Sequence, residues 1–254
     1  RLTRRAMVAY MRYYHEIFHV SHFTVPQLVA RIGAEGRERL DAVVARGRNP
    51  VLALAHMGNW DMAGAWATRE IGAVTTVAER LKPPELFDQF VAMRATIGLT
   101  IVPSDPGKVF RPLAEAAMSH ERGIVPILAD RDLSRRGIEV TMFGHAARVA
   151  AGPAALACHA DVPLIPLAIV SEKLTGARRR VARSRHGYTL VVLPEVPRRP
   201  DLPAAQEVQV MTQGWATALA GVIAEHPTDW HMLQKVFVED LDADKDAQVR
   251  GTDA

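Results

Sequence analysis

The chain has 254 residues, 48% of them hydrophobic, and its formal net charge is only +3. This length and apolar fraction suffice for one sizeable core, so we expect a single α/β domain over 1–254. The nearly balanced charge gives no general sign of a polyanion-binding protein. The single cysteine, Cys158, excludes an intrachain disulfide. Because His159 and Asp161 interrupt the best apolar stretch, 149–170, no segment reaches the roughly 18 residues that a membrane span needs.

The N-terminal region, 1–46, is predicted to form amphipathic helices over 1–20 and 25–46. In the first, apolar side chains recur at spacings of three and four, and they are Met7, Val8, Met11, Tyr14, Ile17 and Phe18. Its basic start contains Arg1, Arg4, Arg5 and Arg12. Two interpretations stay open, namely a helix lying on an anionic lipid surface and a helix whose apolar face packs on the core.

Apolar strand-like runs then alternate with helical segments along the chain. The strands are predicted over 51–55, 73–78, 99–102, 124–129, 163–170 and 188–193. The helices are predicted over 59–70, from 84 onward, and over 107–120, 152–160 and 204–225. This alternation predicts a central, mostly parallel sheet covered by helices. The polar, acidic end of the chain, 242–254, is predicted to be a disordered tail.

The most informative stretch places His56 where an apolar strand ends and a helix begins. Gly58 permits a sharp turn, Asn59 is a good N-cap, and Asp61 falls in the first helical turn. The turn allows the Asp61 carboxylate to fold back onto the imidazole, which would leave the other ring nitrogen free to take a proton. Backbone amides near Gly58 and Asn59 are expected to stabilise an oxyanion.

The alternative for this His-x4-Asp motif is a buried histidine with a purely structural role. No Ser or Cys nucleophile lies near His56 in the sequence, so direct transfer to a substrate hydroxyl is the simplest chemistry. The same base could also activate water, which would make the protein a thioesterase.

The segment His-x-Gly-Asn-Trp-Asp, 56–61, resembles the signature of the His-x4-Asp/Glu lysophospholipid and lipid A acyltransferase superfamily. The stretches VAERLKP, FVAMR, ADRDL, GIEV and FG, between Val77 and Gly144, resemble the phosphatidylinositol mannoside acyltransferases in particular. The block HPTDWH, 226–231, is similar to the superfamily's C-terminal block. The resemblance covers about 51–237 and implies a glycerolipid acyltransferase-like fold.

This resemblance implies a membrane-associated enzyme that moves a fatty acyl group, such as palmitoyl, from acyl-CoA to a mannose hydroxyl of a phosphatidylinositol mannoside. It implies no cofactor beyond the co-substrate acyl-CoA, no nucleic-acid partner, and a peripheral position at the cytoplasmic face of the inner membrane. Alternatives are a lipid A-type enzyme that depends on acyl-carrier protein and a lipid-binding protein without catalysis.

Position by position, the resemblance implies that His56 is the general base, that Asp61 shapes its surroundings, and that Glu139 is the second acidic residue. Which carboxylate pairs with His56 stays open. Glu79 and Arg94 match polar positions that line the family's active centre, and the alternative for each is a structural ion pair. The fatty chain is expected in an apolar groove that runs away from the sheet.

The sequence contains two further charged clusters. Asp130-Arg131-Asp132 stands at a predicted strand end, but it lacks the shaped loop of a hard-cation site, so we expect no metal there. Arg131 is instead expected to orient Glu139 or a substrate phosphate. The arginines of the second cluster are Arg178, Arg179, Arg180, Arg183 and Arg185. They are expected to meet anionic headgroups or CoA phosphates, unless they are solvated loop residues.

Overall fold

The computed structural model describes residues 1–132 and 137–240. The helices in these residues are α1 (Leu2–Ile17), α2 (Val25–Arg31), α3 (Arg37–Val44), α4 (Trp60–Glu70), α5 (Pro84–Thr96), α6 (Phe110–Ala117), α7 (Gly152–Ala160), α8 (Gly176–Ala182) and α9 (Ala204–Glu225). The strands are β1 (Ile32–Glu35), β2 (Val51–Leu54), β3 (Ala73–Ala78), β4 (Leu99–Pro103), β5 (Gly123–Leu128), β6 (Ile138–Met142), β7 (His145–Val149), β8 (Leu164–Lys173) and β9 (His186–Val192).

Seven of these strands form one sheet in the order β1-β9-β8-β2-β5-β3-β4. All neighbours run parallel except β8 and β9, which are antiparallel. Strands β6 and β7 form a separate antiparallel hairpin. The predicted α/β fold with a mostly parallel central sheet is therefore confirmed.

Strand β2 lies near the centre of the sheet and is buried on both faces. Val51 and Ala53 pack on the face covered by α6, α7 and α9, whereas Leu52 and Leu54 pack on the face covered by α2, α3 and α4. Successive side chains of a strand point to opposite faces. The same alternation puts His56, two residues past Leu54, on the α4 side of the sheet.

The N-terminal region differs from the sequence prediction. The single helix expected over 25–46 is wrong, because Ile32–Glu35 forms β1 and pairs in parallel with β9. Thr24 caps α2 with a reciprocal capping box, and Gly36 leads into α3 with a φ of 69°. The chain can therefore leave α2, add one edge strand to the sheet and re-enter a helix within a few residues.

Helix α1 packs on the core through one side and leaves apolar side chains exposed on another. Tyr13 and Ile17 are buried against the protein, whereas Met11 and Phe18 are 58% and 61% exposed. In the described part of the chain, no helix is both long and apolar enough to cross a bilayer. The tail predicted over 242–254 lies outside the described residues.

Candidate active site

His56 and Asp130 are brought together by strand register. Leu54 of β2 pairs with Leu128 of β5, and each of the two polar residues lies two positions beyond this pair. Nδ1 of His56 donates to Oδ1 of Asp130 over 2.6 Å. Because parallel strands present their carboxyl ends at one edge, two residues 74 positions apart in sequence become a hydrogen-bonded pair.

The Asp130 carboxylate is fully buried and is held from a second side. Its Oδ2 accepts from the backbone N–H of His56 over 2.9 Å and from Nε1–H of Trp230 over 2.7 Å. A carboxylate on Nδ1 fixes the imidazole tautomer, so that Nε2 carries the lone pair that can take a proton. The His56 side chain keeps 18% exposure, which leaves it open to a substrate.

Asp61 has different partners. It is buried in the first turn of α4, where it accepts from Nε and Nη2 of Arg94 over 2.6 and 3.2 Å and from the Tyr13 hydroxyl over 2.9 Å. Burial lowers the pKa of Arg94, but the Asp61 charge and its hydrogen bonds outweigh this effect, and the net pKa is raised. The predicted fold-back of Asp61 onto His56 does not occur, because Asp61 instead joins α4 to α5 and α1.

A cavity of about 370 Å³ opens beside His56 and extends between the sheet and α4. Its sheet side includes Leu128, Pro126 and Ile124 of β5, and its helix side includes Ala63, Gly64 and Ala67 of α4. Along β5, the distance from the level of Asp130 down to Ile124 is six residues of extended chain, so this wall of the cavity is about 20 Å long. The cavity runs along the sheet face, so the expected groove running away from the sheet is not what the structure contains.

Comparison with known proteins gives this geometry its context. A family model described as bacterial lipid A biosynthesis acyltransferase matches residues 1–239. The chain belongs to this acyltransferase family. It is therefore an enzyme, and its candidate site combines a histidine–carboxylate pair with an apolar cavity.

Curated relatives extend the comparison over nearly the whole chain. The chain is 36% identical over 250 residues to the phosphatidylinositol mannoside acyltransferase of Mycobacterium tuberculosis. The aligned region covers 96% of this chain and 73% of that protein. The chain is 35% identical over 250 residues to the protein of the same name from Mycolicibacterium smegmatis, with 98% and 76% covered. The crystal structure of the 1-acyl-sn-glycerophosphate (LPA) acyltransferase PlsC from Thermotoga maritima covers 92% of this chain and 88% of that one, at 12% identity and a TM-score of 0.39.

Glu139 of the acyltransferase lies away from this cavity. It sits on β6, where it pairs across the hairpin with Arg148, and its side chain is 3.9 Å from the Arg148 guanidinium. The expectation that Glu139 is the second acidic residue beside His56 therefore does not fit the structure. Asp130 occupies that place instead.

Glu79 and Arg131 both line the cavity and contact each other. Nη2 of Arg131 donates to Oε2 of Glu79 over 3.0 Å, and Arg131 also contacts the side chain of Gln234. The expected pairing of Arg131 with Glu139 does not occur. The Glu79–Arg131 pair therefore places two charged groups in the cavity lining.

Gly58 and Asn59 stabilise the loop that follows His56. The Gly58 amide donates to the Asp229 carbonyl over 3.0 Å, so the predicted oxyanion role does not fit this amide. Gly58 has a φ of 58°, and an added Cβ would lie 2.6 Å from the Ile169 carbonyl, so glycine is required. The buried Asn59 side chain caps Met62 and donates to Glu16.

The segment 229–231 braces the loop that carries His56, a role that the sequence analysis does not predict. Trp230 forms a bridge with Met57, the His231 amide donates to the His56 carbonyl over 2.7 Å, and the Asp229 carboxylate accepts from Ser171. A signal for this role was present in the block HPTDWH, 226–231, whose indole N–H and carboxylate needed partners. Nothing in the local sequence told which strand ends would supply them.

Proposed function

We propose that the protein transfers a long acyl chain, such as palmitoyl, from acyl-CoA to a mannose hydroxyl of a phosphatidylinositol mannoside. The observation that carries this proposal is the 2.6 Å His56–Asp130 hydrogen bond at the opening of the 370 Å³ cavity. The pair supplies a base, and the cavity supplies an apolar space for a fatty chain. The printed names of the relatives support the glycolipid acceptor.

In the proposed mechanism, Nε2 of His56 removes the proton of the sugar hydroxyl as its oxygen attacks the thioester carbonyl. Asp130 stabilises the imidazolium that forms, and Trp230 holds the carboxylate in place. The tetrahedral intermediate then collapses, the carbon–sulfur bond breaks, and the imidazolium returns its proton to the leaving thiolate. The products are the sugar ester and free CoA.

The acyl chain is proposed to lie in the cavity against β2, β5 and α4, with its thioester beside His56. The acceptor sugar is proposed to contact Glu79 and Arg131, which line the same opening. Arg94 is committed to Asp61, and we assign it a supporting role.

We further propose that the enzyme acts as a peripheral protein at the cytoplasmic face of the inner membrane. On α1, Met7, Met11 and Phe18 share one face through spacings of four and seven residues, and all three are exposed. Arginines 4, 5 and 12 flank this face. An exposed apolar row beside basic residues is typical of a helix that lies in an anionic lipid surface.

The test is release of CoA from palmitoyl-CoA with and without a phosphatidylinositol mannoside acceptor, with the lipid product identified by mass. The parent is expected to need the acceptor and to exceed His56→Ala by at least about a hundredfold. Equal activity of the variant would overturn the mechanism. Release of free fatty acid without acceptor would indicate a thioesterase, and transfer only from acyl-carrier protein would indicate the lipid A-type donor. Lipid binding without any turnover would indicate the non-catalytic alternative.

A further inference from the structure

The arginines around α8 do not share one role. Arg178 is structural, because its guanidinium forms two hydrogen bonds with Glu172, at 2.5 and 3.0 Å, and donates to the Ala30 carbonyl. The other four, here called the α8 arginines, are Arg179, Arg180, Arg183 and Arg185. Together with Gly176 and Ser184 they line a second concave surface.

No described carboxylate lies within ion-pair distance of the α8 arginines. Several exposed arginines elsewhere in the described residues do pair with a carboxylate, as Arg80 does with Asp105, Arg111 with Glu115 and Arg199 with Asp201. Four like charges that line one pocket repel each other unless an anion joins them. The pocket therefore carries the positive charge expected of a site that binds an anionic ligand.

The pocket lies on the same edge of the sheet as His56. Leu167 of β8 pairs with Leu54, so Ile169 lies level with His56, and β8 continues four more residues to Lys173, which pairs with His186. At extended-chain spacing the α8 end of this hairpin projects about 13 Å past the level of His56. A ligand in the pocket is thus on the substrate side of the protein.

Helix α1 also passes close to this hairpin, because its Glu16 accepts from the Tyr188 hydroxyl of β9 over 2.5 Å. Burial lowers the pKa of His186, and the charges of Arg12 on α1 and of Arg185 lower it further, while Glu16 opposes them. The charges of Arg12 and Arg185 thus act on the same imidazole. On both helices the arginines accompany exposed apolar residues, since Val181 of α8 is 46% exposed.

We propose that the α8 arginines bind the phosphate of a membrane lipid headgroup. A guanidinium presents N–H donors in a planar fork that matches phosphate oxygens. The exposed apolar residues beside the arginines favour a lipid phosphate over one in solution, because Val181, Met11 and Phe18 can enter the acyl boundary while the arginines remain at headgroup level. The site rests on the proposed function and deepens it by naming the lipid group that holds the enzyme beside its substrates.

The test compares Arg180→Gln/Arg183→Gln with Arg46→Gln/Arg199→Gln. The control removes the same charge from exposed positions that precede β2 and follow β9, at the opposite edge of the sheet. Each protein is sedimented with phosphatidylcholine vesicles that contain phosphatidylinositol. The α8 variant is expected to lose at least about tenfold in partitioning, and the control to stay within about twofold of the parent. A thermal melt checks that all three are folded.

A second arm measures CoA binding in solution, which the α8 variant is expected to leave unchanged. Equal loss of vesicle binding in both variants would mean that only the overall charge of the protein matters. Unchanged vesicle binding with weakened CoA binding would mean that the pocket binds a phosphate of the acyl donor. Either result overturns the proposal. Vesicle binding needs no turnover, so an inactive protein that keeps the expected pattern would contradict the acyl transfer alone.

Discussion

At the scale of single residues, the site contains two buried aspartates that differ in whether a cation neutralises their charge. Asp61 is balanced by the permanent charge of Arg94. The described partners of Asp130 are a backbone amide, an indole and the His56 imidazole, and the first two are neutral. In the proposed mechanism, the Asp130 charge would therefore be available to stabilise an imidazolium at His56, whereas the Asp61 charge is balanced by Arg94.

This difference predicts opposite phenotypes. In Asp130→Asn the amide oxygen can still accept from the His56 backbone N–H and the Trp230 indole N–H. The amide NH₂ group then faces Nδ1 of His56, which moves the imidazole proton to Nε2. We therefore expect kcat to fall about a thousandfold with the fold intact. In Asp61→Ala the Arg94 charge and the Tyr13 hydroxyl lose their buried partner, so the free energy of unfolding is expected to fall by about 3 kcal/mol or more.

Acceptor-dependent CoA release and urea unfolding of both variants check this pair. If Asp130→Asn retained most of the turnover, or if Asp61→Ala were as stable as the parent and inactive, the roles assigned to the two aspartates would be reversed.

The sequence was sufficient to locate His56 but not its partner. A histidine between an apolar strand and a Gly-Asn helix start is a local signal. The pairing with Asp130 depends on the register of β2 with β5, which local patterns do not encode. Asp130 follows an apolar strand just as His56 does. The two residues lie equally far past the ends of their strands, and this was the feature that could have indicated their pairing. Glu139 was assigned by resemblance and lies on a hairpin instead.

At the scale of elements, the cavity exists because α4 presents small residues to the sheet. Ala63, Gly64 and Ala67 lie at helical spacings of one, three and four and line the cavity opposite β5. Larger side chains at these positions would fill the space. Under the proposed function, α4 would set how long an acyl chain the cavity can hold, and His56, just ahead of α4, would set where the thioester lies.

We expect Ala67→Leu to shorten the preferred acyl chain. The added atoms enter the deeper part of the cavity, where only a long acyl chain would reach. We therefore expect kcat/KM for palmitoyl-CoA to fall about tenfold and kcat/KM for octanoyl-CoA to change little. The size of the effect follows because a methylene-scale clash in an apolar pocket is worth about 1–3 kcal/mol. Chain-length profiles of the parent, Ala67→Leu and the control Ala220→Leu, on α9 behind the opposite face of the sheet, measure this. An unchanged profile for Ala67→Leu would place the acyl chain elsewhere.

The elements themselves were predictable where the apolar pattern is long and punctuated by Gly or Pro. Strands β2 and β3 and helices α4, α7 and α9 have nearly the expected bounds. The failure at β1 has a physical cause, because a four-residue edge strand is stabilised by pairing with β9, more than 150 residues later. Helix α8 was missed because its three consecutive arginines give no apolar periodicity. Its packing beside α2 stabilises it.

At the scale of the whole molecule, three features share one side. His56 and Asp130 lie at the carboxyl edge of the parallel strands, the α8 arginines project past that edge, and Tyr10 and Tyr13 on the inner face of α1 line the cavity whose opening lies beside His56. A lipid-facing surface at this edge would let both substrates reach the base without leaving the membrane.

This arrangement predicts that the outer face of α1 matters only when the acceptor is embedded in lipid. Met11→Ser/Phe18→Ser removes two exposed apolar anchors that contribute to membrane partitioning by burial, so turnover with vesicle-embedded acceptor is expected to fall at least tenfold. Turnover with a soluble short-chain acceptor is expected to stay within about twofold, because neither side chain lines the cavity. Met118→Ser/Val210→Ser is the matched control, because Met118, just after α6, and Val210 on α9 are also exposed. Equal loss with both acceptors would mean that α1 supports the site rather than the lipid contact.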